Sequence, residues 1–154
     1  MTGSPNFKNI SSYEGPKQSP GFLLWRLSTS WRSSIEAILK YFGLTHPQFV
    51  VLATTAWLTR NGALATQAAI GKMAGLDPNT ISQIINGLEK KRLIKRNAAS
   101  DGRAKNPNLT KLGNELLAKS LPAVEQADHG FFNTITHNEL NDLVRIFQQI
   151  LKDN

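Results

Sequence analysis

The chain has 154 residues, 40% of them hydrophobic, no cysteine, and a formal net charge of +7. That length suits one domain with one continuous core and is too short for a two-domain dinucleotide enzyme, and the apolar fraction excludes wholesale disorder. The missing cysteines remove disulfides, thiolate metal sites, cysteine nucleophiles and thiol redox sensing, and lean toward a reducing, cytoplasmic setting.

No run approaches the ~18 apolar residues of a transmembrane helix. The first twenty-one residues lack the apolar centre of a signal peptide, so no membrane partner is expected. The charge is concentrated. Residues 89–111 hold eight basic side chains (Lys90, Lys91, Arg92, Lys95, Arg96, Arg103, Lys105, Lys111) and two acidic ones (Glu89, Asp101), a net of +6. Residues 1–88 sum to +4 and residues 112–154 to −3. A basic run can be a solvated face or can meet a polyanion, and its neighbours decide between them.

Residues 1–20, rich in Gly, Pro, Ser and Asn, read as a flexible arm. From Gly21, apolar residues Leu24, Leu27, Trp31, Ile35, Ile38 and Phe42 recur at steps of three and four, the mark of a helix face, with Gly43 as a C-terminal cap. Thr45 caps the next helix and Pro47 fits its first turn. That helix carries Phe49, Val50, Leu52, Ala53, Trp57 and Leu58 on most sides, so it is expected to be central, and Arg60-Asn61-Gly62 ends it. Thr66 opens a short helix, Gln67 to Ala74, closed by Gly75. Asp77 and Pro78 start another, running to about Lys91, with Ile81, Ile84, Ile85 and Leu88 inward. Leu93–Arg96 is a strand candidate, 97–103 a turn, and 106–110 a poor returning strand. A long helix from Lys111 to about Ile135 contains Pro122, which is expected to kink it. A capping box, Thr136 to Glu139, opens the last helix, lined by Leu140, Leu143, Val144, Phe147, Ile150 and Leu151.

The two short helices around the Gly75 turn make a helix-turn-helix. Opposite the isoleucines of the second helix, Asn79, Gln83, Asn86 and Lys90 form a stripe, flanked by Thr80 and Ser82. Asn and Gln can read adenine edges in a major groove, and Ser and Thr can bond bases or phosphates. An ordinary amphipathic helix with an uncharged outer face is the plainer alternative. The basic segment that follows would form a wing, with Arg103 and Lys105 at its tip and Arg96 at its base, neutralising phosphates or entering a minor groove. Asp101 is better placed to hold the wing loop by pairing with an arginine.

Three stretches resemble the MarR-type transcriptional regulators. Gly43-Leu44-Thr45-X-X-Gln48-Phe49 is similar to the opening of their second helix. The run Leu76-Asp77-Pro78-Asn79-Thr80-Ile81-Ser82 through Leu88-Glu89-Lys90-Lys91-Arg92-Leu93-Ile94-Lys95-Arg96 is similar to their recognition helix and first wing strand. Asp101-Gly102-Arg103-Ala104-Lys105 with Leu109-Thr110-X-X-Gly113 is similar to the wing and the following helix. The resemblance covers residues 21–154 and implies a mainly α fold: a winged helix-turn-helix DNA-binding region (45–110) with long N- and C-terminal helices (21–44 and 111–154) forming a dimerisation region. It implies a homodimer on a pseudo-palindromic operator of double-stranded DNA, acting as a repressor. Pro107 departs from the usual β-branched residue of the returning strand and predicts an edge position, a bulge or a short wing. Gly71 replaces a small alanine and is expected to loosen its helix slightly.

The resemblance implies a response to small aromatic acids, lipophilic compounds, oxidants or metals, of which the missing cysteines close the thiol oxidant route. Trp25, Trp31, Phe49 and Trp57 could line an apolar pocket for an aromatic acid effector, with Arg32 or His46 meeting its carboxylate. The plainer reading is that these aromatics fill core and dimer interface. His46, His129 and His137 show no metal-ligand spacing, so neither a metal nor another cofactor is expected. There is no phosphate loop and no nucleophile motif, so an enzyme is not expected. The rival from another class is a winged-helix protein-interaction module without an operator.

Overall fold

A Ser19 hydroxyl accepting from the Phe22 amide (3.3 Å) and a proline in the first turn launch helix α2, Pro20–Lys40. The computed structural model in which it lies describes residues 3–98 and 105–152. The first half of α2 carries exposed Phe22, Leu23, Leu24, Trp25 and Leu27, whereas Trp31, Ile35 and Leu39 in its second half enter the core. One apolar stripe thus passes from uncovered to covered along a single helix.

The segment expected to be a flexible arm contains a short helix α1, Phe7–Ile10, capped by the Asn6 side chain, and a 3-10 turn, Pro16–Gln18. None of its described residues is buried. Local side-chain-to-backbone bonds organise it, which a reading of composition alone does not weigh.

Helix α3, His46–Thr59, is central as expected. The Thr45 hydroxyl accepts from the Gln48 amide (3.3 Å) while Gln48 Oε1 accepts from the Thr45 amide (3.2 Å), a reciprocal cap. It buries His46, Phe49, Val51, Leu52 and Thr55, and touches α2 and the elements at 67–74, 78–90, 105–109 and 111–131. The buried Thr55 hydroxyl is satisfied by donating to the Val51 carbonyl at 2.7 Å.

Helix α4 spans Gln67–Ala74 and α5 spans Pro78–Lys90. Gly75, at φ 67°, closes α4 in the left-handed region that glycine adopts freely. Gly71 is buried where the two helices cross: a β-carbon there would lie 3.2 Å from the Leu76 carbonyl oxygen and 3.4 Å from Ile81 Cγ2. The expected cost in helix propensity therefore accompanies a close approach of α4 to α5.

Strands β1, Ile94–Ala98, and β2, Lys105–Leu109, pair antiparallel with Ile94 opposite Leu109 and Arg96 opposite Pro107. The ladder runs through Pro107 without a bulge, and Pro107 is fully buried. Both members of a two-stranded sheet are edge strands, so one tolerates a residue that lacks an N–H.

Helix α6, Lys111–Phe131, continues through Pro122 and stops four residues before the expected Ile135. Its N-cap is Thr110, whose hydroxyl accepts from Gly113 (3.0 Å) and donates to the Arg92 carbonyl (2.6 Å), tying α6 to the start of β1. Helix α7, His137–Lys152, opens on the expected Thr136–Glu139 box. None of its residues is buried.

Candidate nucleic-acid interface

The α4–turn–α5 unit sets α5 with Ile81, Ile85 and Leu88 inward. Helical spacing then leaves Asn79, Gln83, Asn86 and Lys90 exposed along the opposite face, with Thr80 and Ser82 half-buried beside them. The four stripe residues lie together as the spacing requires. At the N-terminal end, Asp77 Oδ1 accepts from the amides of Asn79 and Thr80, each at 3.0 Å, and Thr80 Oγ1 donates to Asp77 Oδ2 at 2.5 Å. The hydrogen bonds from Thr80, its side chain first, hold the Asp77 carboxyl below its ordinary range. The Thr80 hydroxyl proton is therefore committed to the cap, which leaves its oxygen as an acceptor.

The basic segment divides by what each side chain touches. Lys90, Arg92 and Lys95 are exposed. Lys91 is exposed as well but is engaged: its ammonium donates to the Gly43 carbonyl (2.6 Å) and to Gln48 Oε1 (2.7 Å), stitching the end of α5 to the start of α3. Arg92 has φ 59°, a left-handed conformation that turns the Leu93 amide back to the Leu88 carbonyl (2.9 Å) and ends the helix. Arg96 Nη2 donates to Asn86 Oδ1 at 2.7 Å, and its Nε lies 3.7 Å from Glu89 Oε2. Arg96 is thus held against α5. The alternation of β1 explains this, because Arg96 shares the inward face with buried Ile94 while Lys95 points out. That alternation, with Asn86 and Glu89 one turn apart on α5, is the signal in the sequence that an assignment of Arg96 to phosphate leaves unused.

Lys105 begins β2 opposite Ala98, at the end of the ladder farthest from the Ile94–Leu109 pair. Asp101 and Arg103 lie outside the described residues. Lys111 pairs with Glu115 across one turn of α6 (3.9 Å) on an open surface.

The six residues expected around an aromatic ligand do not meet in one pocket. Phe49 is buried in the core. Trp57 is exposed beneath Arg60, whose guanidinium carbon lies 3.6 Å from the ring centroid. It stands eleven residues along α3 from His46, about 16 Å at helical rise. Trp25 is 68% exposed on the uncovered half of α2, and Arg32 pairs with Glu36 at 3.7 Å. Of the six, Trp31 and His46 come together edge to face at 5.1 Å. The Trp31 indole N–H also donates to Asp128 Oδ1 at 2.7 Å, joining α2 to α6. Burial, then the charge of Arg32, holds His46 below its ordinary value of 6.5, against the opposing pull of Glu36 and Asp128. Trp31 and Asp128 also line an apolar groove of about 680 Å³ formed by α2, the end of α6 and α7, with Leu24, Leu27, Phe131 and Phe147 among its walls. Among the described residues no three His, Asp or Glu side chains could hold one metal ion, and no helix is long and apolar enough to cross a membrane.

Residues 42–104, which hold the helix-turn-helix and β1, match the model of the MarR family. The HTH-type transcriptional regulator YdcH of Bacillus subtilis (strain 168) is 34% identical over 143 residues, which are 92% of this chain and 96% of that protein. The chain belongs to the MarR family. It is a helix-turn-helix transcriptional regulator by that membership, and its sheet is the wing of the MarR winged-helix fold. A second MarR relative, the HTH-type transcriptional repressor Rv2887 of Mycobacterium tuberculosis, is 27% identical over 134 residues, 86% of this chain and 94% of that one. Among solved structures, CouR from Rhodococcus jostii RHA1 bound to p-coumaroyl-CoA has the same MarR fold, with a TM-score of 0.80 at 23% identity over 90% of this chain and 95% of that one. Rv2887 has been solved with salicylic acid and with DNA, each with a TM-score of 0.65 over 86% of this chain.

Proposed function

We propose that this chain is a sequence-specific DNA-binding repressor that acts as a homodimer and releases its operator on binding a small aromatic acid. The observation that carries the proposal is the exposed face of α5, where the neutral hydrogen-bonding side chains of Asn79, Gln83 and Asn86 line up ahead of Lys90, with exposed Lys95 on the adjoining strand. Asn79, Gln83 and Asn86 face base edges; Ser82 and the acceptor oxygen of Thr80 flank them. Lys90, Arg103 and Lys105 meet phosphates, and Asp101 holds the wing loop. Residues 45–110 form the DNA-binding unit; 21–44 and 111–154 form the dimerisation unit, for which the open apolar faces of α2 and α7 speak. A two-fold dimer matches half-sites about 34 Å apart.

Repression is supported by the likeness to Rv2887, which is named a repressor and has a salicylic acid complex. For the effector, the apolar groove beside Trp31 is the receptive surface, with Trp31 as the reporter. Salicylate titrated into the protein is expected to quench tryptophan fluorescence and to weaken DNA binding over the same concentration range.

Selection of bound sequences from a random DNA pool tests the central proposal. A two-fold symmetric motif, bound with an affinity that falls steeply from ~50 to ~200 mM salt, is the expected result. Binding without sequence preference above bulk DNA would overturn it.

A further inference from the structure

The contact between Arg96 and Asn86 fixes something that composition leaves open: which end of the Asn86 amide faces outward. A guanidinium has only donors. The Asn86 atom 2.7 Å from Arg96 Nη2 must therefore be the carbonyl oxygen Oδ1. The amide orientation follows from the chemistry of its partner. Arg96 is itself held in place by the ion pair of its guanidinium with Glu89 Oε2, 3.7 Å from Nε, and by its backbone in the β1–β2 ladder opposite Pro107; the buried Nε makes no hydrogen bond among the described residues. Glu89 lies one turn beyond Asn86 on α5, so one guanidinium spans both side chains of the same helix face.

We propose that Arg96 is a positioning residue for base specificity: by engaging Asn86 Oδ1 it turns the Asn86 NH2 outward, so that Asn86 selects a base edge rich in acceptors, guanine, over adenine. This rests on the DNA-binding reading above and sharpens it at one position. Adenine recognition by asparagine is bidentate and needs the carbonyl oxygen to accept from N6 while the NH2 donates to N7. With the oxygen turned toward Arg96, only the NH2 is presented. It meets acceptors at both N7 and O6 of guanine, but meets another donor at N6 of adenine and at N4 of cytosine. Arg96 contributes to selectivity without touching the base.

The test is selection from a random DNA pool with the full chain and three variants. The wild type is expected to return a motif with guanine at one position in each half-site that Asn86→Ala alone makes degenerate. Asn86→Asp keeps an oxygen for Arg96 but offers no donor. It is expected to lose the guanine preference by ~5- to 150-fold, the range for one good base contact, and to favour cytosine there. Arg96→Met frees the amide and is expected to move the same position toward adenine, leaving the other positions unchanged. Circular dichroism and melting of each variant report whether it folds, and if Arg96→Met does not, Asn86→Asp decides. A folded Arg96→Met that leaves the base preference unchanged overturns the role of Arg96, whatever Asn86→Asp does, and an Asn86→Asp that leaves it unchanged overturns the role of Asn86. A wild type that selects no motif overturns the operator-binding reading itself.

Discussion

Gly113 lies directly against the carbonyl of Leu93: a β-carbon at Gly113 would stand 2.1 Å from that oxygen. The first turn of α6 crosses the chain just before β1 at this point, and the Thr110 hydroxyl and amide reach Arg92 and Leu93 beside it. Backbone meets backbone, so no side-chain rotation relieves an added methyl group. Gly113→Ala is expected to destabilise the fold by at least ~1–3 kcal/mol, as overpacking of a tight contact does. Urea unfolding followed by circular dichroism measures it. A loss below about 0.5 kcal/mol, within the range of surface substitutions, would contradict the crossing geometry.

Two adjacent lysines of the basic segment are expected to behave oppositely. Lys90 is exposed at the end of the α5 stripe, whereas the Lys91 ammonium is bonded to Gly43 and Gln48. Lys90→Ala is expected to lower the slope of log affinity against log salt by about 1, with no change in stability. Lys91→Ala is expected to lose about 0.5–1.5 kcal/mol of stability, the modest figure reflecting its exposure, with the salt slope intact. Fluorescence anisotropy on an operator duplex at several salt concentrations, beside urea melts, separates the two. Equal salt slopes for both variants would mean that Lys91 leaves its intramolecular partners on DNA.

Gln83 and Arg103 make a second contrasting pair. Gln83→Ala is expected to change the preference at one base position by about 1–3 kcal/mol, and Arg103→Ala to weaken binding across all sequences. A matrix of operator variants against the two proteins measures both. Uniform loss for Gln83→Ala would remove it from the base-reading stripe.

His46 predicts a pH dependence. Its folded value lies below 6.5 because burial and Arg32 disfavour the imidazolium, outweighing Glu36 and Asp128. As pH falls below the ordinary value, the unfolded chain takes up a proton that the native state refuses. The contribution of neutral His46 is therefore present above about pH 6.5 and is lost as pH falls toward the lowered folded value. Wild type is expected to lose melting temperature faster than His46→Gln on going from neutral pH to about pH 5. A constant offset between the two across that range would show that His46 titrates alike in both states.

Helices α3, α4, α5 and α7 were legible because each declares itself locally. Thr45 with Gln48, Thr66, Asp77 with Pro78, and Thr136 with Glu139 are caps within four residues, and Ile81, Ile85 and Leu88 fall on one helical stripe. What the sequence hid depends on contacts far apart along the chain. The partners of Lys91 lie more than forty residues away, and Trp31 bonds to Asp128 across ninety-seven. Aromatic content pointed to a shared pocket, yet only three-dimensional placement separates exposed Trp25 and Trp57 from Trp31 and His46. Pro107 pointed to an edge position, and β2, with one neighbour, is an edge strand; which of the readings edge, bulge or short wing applies depends on that pairing.

Helix α7 has a consequence for how much protein must be present. Its stripe of Leu143, Val144, Phe147 and Leu151 is hydrophobic, yet no residue of the helix is buried by its own chain. If a second copy covers that stripe, the order of α7 is coupled to mass action. Melting temperature would then rise with protein concentration, and occupancy of a two-half-site operator would climb with the square of dilute monomer rather than in proportion to it. Regulation of this kind would have a threshold in gene dosage.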